Sequence, residues 1–165
     1  MNWRHLVLIA FAGFWATTGA QAADPQSVSG GRHVDLPNVQ LWITDSGGSG
    51  EPVILFHPNT GNSEIWQYNI PAFAEAGYRV IAFDKPGWGK SIVREGQAPL
   101  PVVETLDALF DFLELEEVHL VGTANGGYFA FDYAIWNPER VKSLVIAASG
   151  LGLDDDPEGE AFRSR

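Results

Sequence analysis

Apolar side chains recur along this chain in two rhythms, and together they predict strands interleaved with helices. Residues 38–44 (NVQLWIT) alternate polar and apolar, as a half-buried strand does. Residues 52–56 (PVILF) and 79–83 (RVIAF) are short continuous apolar runs, which suit strands covered on both faces. Between these two runs, Ser63 is read as the capping residue of a helical stretch carrying Ile65, Trp66, Tyr68, Ile70, Phe73 and Ala74. Pro71 is a point where that stretch kinks or splits, and Gly77 ends it.

Beyond Pro99, residues Val102, Val103, Leu106, Leu109, Phe110 and Leu113 repeat at helical spacing, and Glu104, Asp107, Asp111 and Glu114 fill the opposite face. A fourth strand is predicted at 118–122 (VHLVG), a helix at 126–136 ended by Asn137-Pro138, and a fifth strand at 143–148 (SLVIAA). Strands separated by helices, several with continuous apolar runs, imply an α/β fold with a mostly parallel sheet and helices on both faces.

Composition narrows the chemistry. The 165 residues suit one domain, and a hydrophobic content of 45% excludes a disordered chain. Acidic residues outnumber basic ones 21 to 10, for a net charge of −11, so a nucleic-acid partner is not expected. The absence of cysteine excludes a disulfide framework, a thiolate metal site and a cysteine nucleophile. Four scattered histidines without an HExxH pattern speak against a zinc hydrolase.

The N-terminus has the layout of an export signal. Arg4 precedes an apolar run from Leu6 to Ala16, and Ala20-Gln21-Ala22 supplies a small-x-small cleavage pattern. Residues 1–22 are therefore expected to be removed on the way to the periplasm or the exterior. The apolar run is shorter than the roughly 20 residues that span a bilayer, so no stable membrane span is expected afterwards. Residues 23–153 are left as the folded core, and the acidic stretch 154–165 is read as a solvated tail or the start of a lid.

The most informative segment is 118–133. A strand runs into Thr123-Ala124-Asn125 and leaves through Gly126-Gly127 into a helix, with Gly122 and Gly126 in G-x-x-x-G spacing. A nucleophile elbow needs that spacing, because its apex is held at positive φ and the residues two before and two after must lack bulk. Upstream stand His57-Pro58-Asn59-Thr60-Gly61 and Asp84-Lys85-Pro86-Gly87-Trp88-Gly89-Lys90-Ser91. In this order and on these elements, the three motifs resemble the α/β-hydrolase superfamily over roughly residues 35–152. The resemblance implies hydrolysis of a small ester, lactone or related carbonyl compound by acyl transfer, without metal or cofactor. It also implies that the backbone N–H groups of Asn59 and Asn125 form an oxyanion hole. His57 and Asp84 are expected to anchor loops.

Two departures bear on activity. Where the family carries Ser, Asp or Cys at the apex, this chain has Ala124, whose methyl group has no lone pair to attack with. Thr123 points elsewhere from the strand end, and Asn125 is a very weak nucleophile. The family's acid and histidine come later than the elbow, yet no histidine follows His119. The sequence thus resembles the N-terminal half of such a protein with its C-terminal part missing, and is expected to be inert toward esters as it stands. An alternative is a non-catalytic module binding a small apolar carbonyl-containing molecule on the same fold. If the chain is a truncated gene product rather than a fragment, the strand 143–148, central in the family, is expected to become an exposed apolar edge and an aggregation site.

Other patterns fail on inspection. Gly87-Trp88-Gly89-Lys90-Ser91 resembles the end of a phosphate-binding loop, but the required first glycine is Asp84, whose carboxylate repels phosphate. Trp66, Tyr68 and Phe73 are read as core rather than as a ligand stripe.

Overall fold

The computed structural model describes residues 30–150. Within them one sheet is built from β1 (Arg32–Leu36), β2 (Val39–Asp45), β3 (Pro52–Phe56), β4 (Arg79–Phe83), β5 (Ile92–Val93), β6 (Val118–Thr123) and β7 (Val141–Ala147). The helices are α1 (Asn69–Glu75), α2 (Val102–Phe112) and α3 (Asn125–Trp136). Strand order is β1-β2-β4-β3-β6-β7, with β5 also on β2. The pairs among β4, β3, β6 and β7 are parallel, and those made by β2 with β1, β4 and β5 are antiparallel. This is the mostly parallel α/β sheet that the sequence predicts.

Period-two alternation sends neighbouring residues of each strand to opposite faces. Ile54 and Phe56 of β3, with Ile81 and Phe83 of β4, join Leu106, Leu109 and Phe110 of α2 and Ala130 and Tyr133 of α3. Val53, Leu55, Val80 and Ala82 point the other way, onto Trp66 and Ile70. Both faces are covered, which explains why β3 and β4 read as unbroken apolar runs.

Chain direction locates a crevice. From β3 the chain passes through α1 to β4 on one side; β6, on the other side of β3, passes through α3 to β7. The loops leaving the C-terminal ends of β3 and β6 therefore diverge onto opposite faces. Open α/β sheets bind ligands at such a reversal of strand order.

Several expected elements are corrected. β1 was absent from the sequence reading, because it buries only Val34 and Leu36 while Arg32, His33 and Asp35 face outward. Asn38, expected to begin a strand, instead adopts φ 64° in the two-residue turn joining Leu36 to Val39. The helix expected from Ser63 is split into a 3-10 turn, Ser63–Trp66, and α1. Pro71 accounts for the split, since in a continuous helix its ring would clash with the carbonyl of Gln67; in the first turn of α1 it is tolerated. The capping residue is Asn62, whose side chain accepts from the Glu64 backbone N–H, not Ser63. The last strand is Val141–Ala147, two residues earlier at its start than expected. It pairs with β6 alone among the described residues, and Val145 on it is exposed.

The expected export signal (1–22), the whole acidic segment 154–165, and residues 23–29 and 151–153 of the expected core lie outside the described residues. No helix among the described residues is long and apolar enough to cross a membrane.

Candidate functional site

The turn from β6 into α3 is held by backbone contacts that allow no side chain. A Cβ on Gly122 would lie 2.5 Å from the Gly126 carbonyl oxygen, and one on Gly126 would lie 2.5 Å from that of Phe56 and 2.7 Å from that of His57. The start of α3 therefore packs directly on the end of β3, bringing the loops after β3 and β6 together. Ala124 stands at the summit with φ 48° and ψ −123°. A non-glycine residue in that region costs roughly 1–3 kcal/mol and persists only where its surroundings hold it. Here its N–H donates to the Ala147 carbonyl, and its own carbonyl accepts from Gly127 N and from the Ser149 hydroxyl.

Asn125 opens α3, so its N–H belongs to the first turn, which has no intrahelical acceptor and carries the positive end of the helix dipole. Asn59 sits exposed in the loop after β3. Among the described residues neither backbone N–H makes a turn, loop or cap hydrogen bond. The Asn125 side-chain Oδ1 is also buried without a hydrogen-bond partner.

His57 is fully buried, and both its ring nitrogens are committed. Nδ1 lies 2.7 Å from the Pro58 carbonyl, and Nε2 accepts from the Lys85 backbone N–H at 3.0 Å. That pairing selects the neutral tautomer protonated on Nδ1. Burial, with the Lys85 charge nearby, holds the imidazole below its ordinary pKa despite the Pro58 carbonyl and Asp84. It ties the β3 loop to the β4 loop and has no free nitrogen for proton transfer.

Asp84 is likewise buried and organises the turn after β4. Its Oδ1 accepts from Ser63 N and its Oδ2 from Lys90 N, both at 2.7 Å. Ser91 closes the turn, donating its hydroxyl to the Asp84 carbonyl at 2.6 Å and accepting from Trp42 N at 2.9 Å. Lys90 pairs with Glu64 at 2.9 Å and lies over the Trp42 ring. The glycine-rich turn is thus wrapped around a carboxylate, the reverse of a phosphate cradle.

The remaining histidines of the described chain lie elsewhere. His119 starts β6 beside Val53 and Ser143, five residues before Ala124, about 16 Å away at strand rise. Its Nδ1 meets the Ser143 hydroxyl at 2.7 Å and its Nε2 meets Glu51 at 3.1 Å. His33 on β1 bonds the Lys90 carbonyl. Of the aromatic stripe, Trp66 and Phe73 pack on the sheet, whereas Tyr68 is 76% exposed and belongs to no core.

Sequence reasoning missed Lys85. Its side chain is buried, its Nζ donates to Asn59 Oδ1, and the rings of Trp88 and Phe129 flank it. Burial pushes its pKa down to about 8. The available signal was a lysine placed two residues after a buried strand, between Asp84 and Pro86.

Residues 51–164 match the family described as alpha/beta hydrolase fold. A 2-hydroxy-6-oxononadienedioate/2-hydroxy-6-oxononatrienedioate hydrolase of Paraburkholderia phymatum is 41% identical over 69% of this chain and 41% of its own length. A 2-hydroxy-6-oxo-6-phenylhexa-2,4-dienoate hydrolase of Comamonas testosteroni is 40% identical over 72% of this chain and 43% of its own. Among solved structures, a mutant of the epoxide hydrolase of Vigna radiata superposes with a TM-score of 0.65 at 26% identity, covering 81% of this chain and 43% of that one. The chain spans about two fifths of the length of the curated relatives it matches.

Proposed function

The chain belongs to the alpha/beta hydrolase fold family, and from that premise we propose that its crevice takes a small carbonyl compound, an ester, lactone or related molecule, and holds it without hydrolysing it. The observation that carries this reading is a pair of backbone N–H groups without an acceptor among the described residues, Asn59 in the loop after β3 and Asn125 at the start of α3, which the Gly126 contact draws together. Donors so placed suit a carbonyl oxygen and strengthen as negative charge grows on it. The relatives' substrates, as their names state, carry an oxo group, which supports a carbonyl ligand.

Acyl transfer to the enzyme requires a lone pair at the summit of the turn, and Ala124 supplies a methyl group. It also requires a base within hydrogen-bond reach. Among the described residues His57 is engaged at both nitrogens, and His119 stands at the other end of β6. We further propose export, on the strength of Arg4, the apolar run and Ala20-Gln21-Ala22.

The test is a titration of the 15N-labelled chain with a neutral aliphatic ester and the matching ketone. Saturable shifts of the Asn59 and Asn125 amides, with no alcohol or acid formed, are expected. Unmoved amides at millimolar ligand would contradict the binding claim, and product above a heat-denatured control would contradict the absence of turnover.

A further inference from the structure

Lys85 is a buried cation without a counter-ion. Its side chain is 1% exposed, and among the described residues no ion pair includes it. One of its three donors reaches the neutral Asn59 amide oxygen at 2.5 Å. The rings of Trp88 and Phe129 lie 4.8 and 4.9 Å away and offer π faces to the charge.

The charged groups on the surrounding elements are committed elsewhere. Asp84 serves Ser63 N and Lys90 N, His57 accepts from the Lys85 backbone, and Lys90 pairs with Glu64. On α3, Tyr128 and Asp132 are exposed, and Tyr133 bonds Asp107. Desolvation disfavours an ammonium unless an anion compensates it, and among the described residues no carboxylate does so. Its one polar cover is the side chain of Asn59, an exposed residue on a loop. An incoming ligand can displace that amide without disturbing the sheet.

We propose that Lys85 is the receptor for the carboxylate of a small anionic ligand, which replaces the Asn59 amide oxygen on the ammonium. The inference rests on the reading of the crevice as a ligand site and adds to it the charge of the ligand. Trp88, 39% exposed, gives the apolar part of such a molecule a flat surface beside the charge. Binding needs the ammonium form, so affinity is full well below pH 8 and falls as pH rises through about 8.

The probe is 2-oxohexanoate, compared with its methyl ester, in titrations of the full chain that follow the Trp88 indole N–H by 15N NMR. That proton donates to the Asn59 carbonyl and reports any movement of the loop. The acid is expected to bind saturably, and Lys85→Met to weaken it by about tenfold or more, as for loss of a charge-assisted hydrogen bond. Lys85→Arg should retain most of the affinity, and raising the pH from 7 to 9.5 should weaken the acid but not the ester. Should Lys85→Met fail to fold, the arginine variant and the pH series decide the matter by themselves. If acid and ester bind alike and ignore both Lys85 and pH, the carboxylate inference falls while the crevice remains a carbonyl site. If neither binds, both readings fall.

Discussion

Gly126→Val is expected to lose about 3 kcal/mol or more of stability, or to leave the chain unfolded. The added Cβ would meet two backbone carbonyl oxygens, those of Phe56 and His57, at 2.5 and 2.7 Å. Neither can retreat as a flexible side chain would, because both belong to the end of the central strand β3 and its exit. Overpacking against adaptable neighbours costs typically about 1–3 kcal/mol, and rigid backbone puts this site at or above the upper end. Natural domains hold only about 5–15 kcal/mol in reserve. Thermal unfolding followed by circular dichroism should show a midpoint lowered by roughly 10 °C. Gly126→Ala should lie between variant and wild type. A valine variant melting within about 2 °C of wild type would mean that α3 does not rest on β3 as described.

The second large effect is expected at Asp84. Its carboxylate is buried and receives two backbone N–H groups from different segments, Ser63 at the start of the 3-10 turn and Lys90 at the far side of the glycine-rich turn. Asp84→Ala leaves both donors without their acceptor. At about 1–3 kcal/mol for each of the two groups left unpaired, the loss should be about 2–6 kcal/mol. Asp84→Asn keeps one acceptor oxygen and should recover roughly half of that difference. Denaturant unfolding at constant pH measures both. Equal midpoints for Asp84→Ala and wild type would show that the turn carrying Lys85 and Trp88 is not built on this carboxylate.

What could be read from the sequence follows from which interactions are local. β3 and β4 were bounded correctly because burial on both faces writes an unbroken apolar run into the chain. α2 was legible from its one-sided apolar repeat. β1 and β5 were not, since a short edge segment needs few apolar residues; Ile92 and Val93 are exposed and half-buried, respectively. The break between Trp66 and Asn69 was signalled by Pro71, but its position three to four residues upstream depends on how the 3-10 turn seats Trp66 against the sheet. At the site, glycine spacing marked the elbow, and the positive φ of Ala124 follows from it. Lys85 escaped notice because lysine in a turn ordinarily reads as a solvated charge. Only the pairing of β3 with β4 on one side and with β6 on the other brings Asn59 and Phe129 around it. The Ser143 and Glu51 partners of His119 were hidden for the same reason, lying 24 and 68 residues away in the chain.

The central claim, a family crevice whose summit bears no nucleophile, is tested most directly by stopped-flow mixing of the purified chain with excess p-nitrophenyl acetate. The account predicts nitrophenolate release indistinguishable from buffer containing the heat-denatured chain, with no early burst and no acetyl group on the intact chain by mass spectrometry. A burst approaching stoichiometric release, with acetyl recovered on a residue between Gly122 and Gly127, would contradict it.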